Sequence, residues 1–147
     1  MRSILFPAFC FLLLLGSRSA VLTSSAQKAP VRTADSQIDR GRYLAEEVAK
    51  CSECHTPRDA DNQLDRSRWL EGASTWIEPV HHISNWAQFA PPLAGLPSLS
   101  DVQMQRVLEM GQSASGREIQ PPMHLYHLTH ADAQAIIAYL RSLRPSR

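Results

Sequence analysis

The chain is poor in several of the features that usually settle a function class. It has three cysteines in 147 residues, at positions 10, 51 and 54. With so few, a close cysteine pair is not a by-product of cysteine richness. It lacks an excess of charge: 15 Lys and Arg stand against 14 Asp and Glu, for a formal net charge of +1. That removes the electrostatic case for nucleic acid, and no block of like charges forms a tail or an arm. It lacks a long apolar run. The longest, Ile4 to Leu15, holds 12 residues, whereas a helix that spans a bilayer needs roughly 20. Strand-like alternation is nearly absent, and no stretch repeats. What remains is enough chain for one domain of ordinary hydrophobic content.

The short apolar run has a reading of its own. "MRSILFPAFCFLLLLGSRSA" places an arginine, an apolar core and small residues in the order of a secretory signal peptide. Residues 1–26 are expected to be that peptide, with cleavage after Ala26; an earlier cut after Ser19 or Ala20 and an uncleaved short anchor are the alternatives. Cleavage removes Cys10, Arg2 and Arg18. The mature chain then keeps only Cys51 and Cys54, and its formal charge becomes −1. Residues 27–36, polar and with one proline, read as a linker.

Three helices are expected beyond it. Ser36 and Asp39 fit a capping box, and Tyr43, Leu44 and Val48 recur at helical spacing, so the first helix is expected over 37–50. Gly41 in its interior points to a close helix–helix crossing. Ser100 with Gln103 opens a second helix that Gly111 ends. Thr129 with Asp132 opens a third, with Ile136, Leu140 and Leu143 on one face and Pro145 beyond it. The fold class is therefore all-α, with long loops at 56–99 and 111–128. Loops of that length are uncommon in a compact domain unless something holds them, and an apolar cofactor at the centre would do so.

"CSECH" at 51–55 is the most informative stretch. Two thiols three residues apart can bond the two vinyl groups of one haem, with His55 beneath the iron as an axial ligand; C-x-x-C-H is the attachment signature of c-type haem. Two rival readings stand beside it. Zinc would need Cys51 and Cys54 together with His124 and His127, leaving His55 idle. A redox dithiol would need a strand before the pair, where a helix is expected.

A haem with both axial positions filled is usually an electron carrier, and methionine opposite histidine raises its reduction potential. Met104 and Met110 fall in an expected helix and read as core. Met123 follows Pro121-Pro122, whose rings restrict the loop that presents it. It is the candidate second ligand, with the neighbouring His124 as closest rival; His81, His82, His127 and His130 read as surface or supporting residues. A haem enzyme or gas sensor with an open sixth position remains the alternative.

"CSECH", the helix before it and "PPMHLYHLTHADAQAIIAYLRSL" together resemble the class I c-type cytochromes of bacteria. "CHTPRDADNQLDRSRWLEGA" is similar to the segment after the haem motif in cytochrome subunits of periplasmic dehydrogenases. The resemblance covers residues 37–147 and implies the cytochrome c fold, about three main helices wrapped around one haem. It implies one covalent haem c with its iron held by His55 and Met123, and an electron carrier rather than an enzyme. It sets Gly41 and Tyr43/Leu44 against Ile136, Tyr139 and Leu140. It makes Pro91 the residue whose carbonyl accepts the histidine ring N–H, although Ala90 stands where the family has glycine. It makes Arg58, Trp69, Trp76 and Trp86 candidate contacts of the haem carboxylates. The signal peptide makes the expected location periplasmic. The partners implied are redox proteins, namely a periplasmic dehydrogenase, a terminal oxidase or both, with no nucleic acid and with peripheral membrane association left open.

Overall fold

A computed structural model describes residues 33–146. The signal peptide read at 1–26, and the linker as far as residue 32, lie outside the described residues. Four α-helices carry the rest: α1 (Ala34–Arg42), α2 (Cys51–His55), α3 (Asp101–Met110) and α4 (His130–Ser142). Between α1 and α2 the helix widens into a π turn at Tyr43–Val48. Two short strands, β1 (Ala73–Ser74) and β2 (Phe89–Ala90), pair antiparallel, Ala73 with Ala90 and Ser74 with Phe89. The all-α expectation thus describes the frame, and this small sheet is an addition to it.

Two of the three expected helix starts match the structure. Ser100 and Gln103 cap α3 reciprocally: the Ser100 amide donates to Gln103 Oε1 at 2.9 Å, and the Gln103 amide donates to Ser100 Oγ at 3.3 Å. Thr129 Oγ1 accepts from the Asp132 amide at 3.3 Å. The first start is corrected. Thr33 caps α1 by accepting from the Ser36 amide at 3.4 Å, while the Ser36 hydroxyl donates back to the Thr33 carbonyl at 2.9 Å. Ser36 is therefore inside the helix, and the last residues assigned to the linker belong to α1.

α1 and α4 cross at Gly41. A β-carbon built there would lie 1.9 Å from the Ala135 carbonyl oxygen and 2.8 Å from Tyr139 Cβ. Only hydrogen fits, so the two backbones touch. Leu44 and Ala45 continue the contact into a core shared with Ile136, Tyr139 and Leu140. Tyr43 does not join it. It is 53% exposed, with the Arg40 guanidinium 5.8 Å above its ring. The aromatic residue of the crossing is Tyr139, which donates its hydroxyl proton to Glu46. Glu46 Oε1 also accepts from Trp69 Nε1 at 3.0 Å, so one carboxylate from the π turn ties α4 to the loop after α2. Hydrogen bonds to a charged group contribute about 1.5–3 kcal/mol. Tyr139→Phe is expected to lose about 2 kcal/mol, read as a lower urea midpoint at unchanged slope.

α3 packs on α4 through Met104, Val107 and Leu108. Met104 is core, as expected. Met110 is not, being 57% exposed. Arg141 on α4 gathers the loop that leads into α3, donating to the carbonyls of Gly95, Leu96 and Leu99 at 2.6, 3.1 and 2.9 Å and pairing with Asp101 at 2.7 Å. That fastening holds α3 and α4 as one wall.

Candidate cofactor site

α2 is one and a half turns long, and its cysteines lie three residues apart, on one face. Lys50, just before it, takes a left-handed conformation at φ 53°, which breaks the π turn from α2 and re-aims the chain. Cys51 and Cys54 are free thiols, half-buried. Burial pushes the Cys51 thiol up to about 11 and raises Cys54 as well. Redox dithiols have acidified thiols, so the environment here is the reverse of what that reading requires.

His55 ends α2 and is 6% exposed. Its Nδ1 lies 2.7 Å from the Pro91 carbonyl. A carbonyl only accepts, so Nδ1 carries the proton and Nε2 keeps its lone pair. Burial pulls the ring's pKa down, against a smaller upward pull from the Pro91 bond, and the imidazole is neutral at pH 7. A neutral ring whose far nitrogen is fixed by a carbonyl is the usual state of a metal-ligating histidine.

The Pro91 carbonyl is brought there by a short ladder of backbone bonds. The Gly72 amide donates to the His55 carbonyl at 2.8 Å. The Leu70 amide donates to Thr56 Oγ1 at 3.0 Å, and the Leu70 carbonyl accepts from Leu93 and Ala94 at 2.8 and 3.0 Å. Gly72 has φ 86°, and a β-carbon on it would meet Pro92 N at 2.9 Å. The 90–92 segment can therefore pass close behind His55 only over a glycine. Thr56→Val is expected to leave the buried Leu70 amide unpaired and to cost about 2 kcal/mol. Chemical denaturation should show that loss, with most of it recovered by Thr56→Ser.

These groups share one cavity of about 840 Å³, within the size range of pockets that take a large, mostly apolar ligand. Residues 49–51 and 53–55 form one side of it, and α3 contributes Met104 and Leu108. The segment between and around the two strands supplies Thr75, Ile77, Ala87 and Phe89. The loop between α3 and α4 closes it with Ile119, Met123 and Tyr126. Met123 is held from both sides. The Pro121 carbonyl accepts from the Ala87 amide at 2.7 Å, and the Tyr126 hydroxyl donates to the Ala49 carbonyl at 2.9 Å. Two thiols, a histidine with a free Nε2 and a thioether on the walls of an apolar cavity are a donor set that fits a tethered haem and its iron.

The structure thus brings Cys51, Cys54, His55, Pro91 and Met123 to one cavity. Arg58 is not on its wall. Its guanidinium donates to Glu53 at 3.1 Å and to the Asn62 carbonyl at 2.9 Å, and lies 5.0 Å above the Trp76 ring. Trp69, Trp76 and Trp86 are off the wall too. Their indole N–H groups are used by Glu46 and by the carbonyls of Glu53 and Ile77. The zinc set does not assemble either: His124 reaches the cavity and His127 does not, and no three His, Cys, Asp or Glu side chains gather as a metal site among the described residues. Sequence reasoning missed Tyr126 and the 75–89 wall. The tyrosine stands three residues after Met123, at a spacing that could have flagged it. The wall has no periodic signal at all.

A family model described as Cytochrome c matches residues 38–144. The fructose dehydrogenase cytochrome subunit of Gluconobacter japonicus is 37% identical over 112 residues, which takes in 71% of this chain. The chain spans 22% of that relative's length.

Proposed function

Because the chain belongs to the cytochrome c family, with a covalently bound haem c through which electrons pass, we propose that it is a periplasmic single-haem carrier tethered through Cys51 and Cys54 and ligated by His55 and Met123. When bound, the haem iron supplies a one-electron couple. The residues of the chain do the rest. The observation that carries the reading is the His55–Pro91 bond at 2.7 Å on the wall of a cavity that also holds both thiols and Met123. Pro91 fixes the ring and its tautomer, so Nε2 is ready to donate. The mostly apolar walls suit the haem's flat faces, and the prolines before Met123 limit how far its thioether can stray. His55 and Met123 would both hold the iron and leave no position for a substrate, which supports a carrier over an enzyme or a gas sensor.

Export rests on the apolar run Ile4 to Leu15. The partners proposed are redox proteins: a periplasmic dehydrogenase upstream, in keeping with the relative being a dehydrogenase's cytochrome subunit, and a terminal oxidase downstream, with peripheral attachment to the membrane. Encounters of this kind are small and transient.

The test is the absorption spectrum of protein made in an exporting, haem-maturing host, oxidised and reduced, before and after acid–acetone extraction. Haem that resists extraction, with sharp reduced bands and the weak methionine-to-iron band when oxidised, is the expected result. Attached haem that lacks this band and binds carbon monoxide readily would replace the carrier with an open-site protein.

A further inference from the structure

Haem carries two carboxylates at the edge away from its vinyl groups, and nothing described so far compensates them. Arg58, the residue the sequence suggested, is off the cavity wall; its two terminal nitrogens are used by the Asn62 carbonyl and Glu53, and its buried Nε has no partner among the described residues. Among the described residues two cations line the cavity, Lys50 and Arg117. Lys50 adjoins Cys51, at the tethered edge, and its ammonium is held by Glu47 at 3.1 Å. Arg117 is different. Its Nε donates to Ser115 Oγ at 3.3 Å, and no carboxylate among the described residues pairs with it. The carboxylates on the wall are Glu53, which Arg58 holds at 3.1 Å, and Glu118.

Arg117 also sits on a built loop. Gln112 and Glu118 form an antiparallel bridge. The Ser113 amide donates to the Arg117 carbonyl at 2.6 Å, the Gly116 amide to the Ser113 carbonyl at 2.9 Å, and the Ile119 amide to the Gly111 carbonyl at 2.9 Å. The result is a tight hairpin pinned at its base. Its tip sets Ser113, Ser115 and Arg117 on the wall of a mostly apolar cavity; the two serine hydroxyls bond each other at 3.0 Å, and the terminal nitrogens of Arg117 meet no protein acceptor among the described residues.

We propose that Arg117, on the Gln112–Glu118 hairpin, holds the haem carboxylates and raises the reduction potential by its charge. The proposal rests on the haem reading above. A guanidinium is a strong charge-assisted donor to a carboxylate, and a fixed positive charge near the iron disfavours the oxidised form, which is one unit more positive.

The experiment uses the haem-loaded protein and reads the midpoint potential of four forms: parent, Arg117→Gln, Arg117→Lys and Arg106→Gln. Arg106 is an exposed cation off the cavity and controls for net charge. Arg117→Gln is expected to lower the equilibrium constant for reduction about fivefold, which for one electron is about 40 mV. Arg117→Lys keeps the charge and recovers most of that loss, and Arg106→Gln stays close to the parent. The proposal is overturned if Arg117→Gln shifts no further than Arg106→Gln, or if the lysine recovers nothing. Extraction-resistant haem in each variant shows that the haem reading stands even where the proposal fails, and the exposed position of Arg117 makes loss of folding an unexpected outcome.

Discussion

On the proposed ligation by His55 and Met123, replacing Met123 by alanine is expected to abolish the methionine-to-iron band, to lower the reduction potential and to let carbon monoxide bind the reduced protein more readily than it binds the parent. The fold should survive. Met123 is only partly buried and packs at the edge of the core rather than inside it. Its loop is held by backbone bonds from Ala87 and by Tyr126, none of which uses the thioether. The loss of potential follows because methionine opposite histidine favours the reduced iron. Met104 provides the control, since it also faces the cavity. Met104→Leu conserves volume in the core and should cost less than about 1.5 kcal/mol, with the band retained. Loss of the band in the Met104 variant and not in the Met123 variant would move the ligand to α3.

Gly41→Ala should destabilise the domain by about 3 kcal/mol, as overpacking a tight contact does. Propensity points the other way, because alanine in a helix interior is favoured over glycine by about 1 kcal/mol. The sign of the measured change therefore tells which effect rules. The atoms in the way are the Ala135 carbonyl oxygen at 1.9 Å and its carbon at 2.5 Å. They are backbone atoms inside α4 and have no rotamer to retreat into, so the helices must move apart. A thermal melt of the haem-bound protein should fall by about 15 °C, given several degrees per kcal/mol for a domain of this size. An unchanged or raised midpoint would mean that α1 and α4 do not touch at Gly41.

What the sequence made legible and what it hid divide along physical lines. The thiols and histidine of "CSECH" could be read because covalent tethering and ligation need them at one local spacing. α3 and α4 could be read because their caps are also local, Ser100 with Gln103 and Thr129 with Asp132. The start of α1 was misread for the same reason. Thr33 and Ser36 are both plausible caps three residues apart, and nothing local chooses between them. The stretch 56–99 gave weak signals because it is organised by distant backbone pairs such as His55 with Gly72 and Leu70 with Leu93, which leave no periodicity in residue type. Arg58 and the three tryptophans stand off the cavity wall, which residue type could not show, because it tells what a side chain can bind and not where it points. Arg117 lay in a loop with no motif, and only the cavity brought it forward.

The π turn at Tyr43–Val48 sets a phase. Gly41 must face α4 while Cys51 and Cys54, ten and more residues on, must face the cavity, and an unbroken α-helix would rotate them by about 100° per residue. The wider turn and the left-handed Lys50 that follows it together set the direction in which α2 leaves. Length between Gly41 and Cys51 therefore matters as well as the identity of the buried Leu44 and Ala45. Residues such as Glu47 and Val48, which point outward, are free to drift, but a single deletion or insertion among them would leave every side chain chemically intact and turn the thiols about 100° off target. In a library of variants, the outward positions of that stretch should accept many substitutions, Leu44, Ala45 and Glu46 few, and the spacing almost no change.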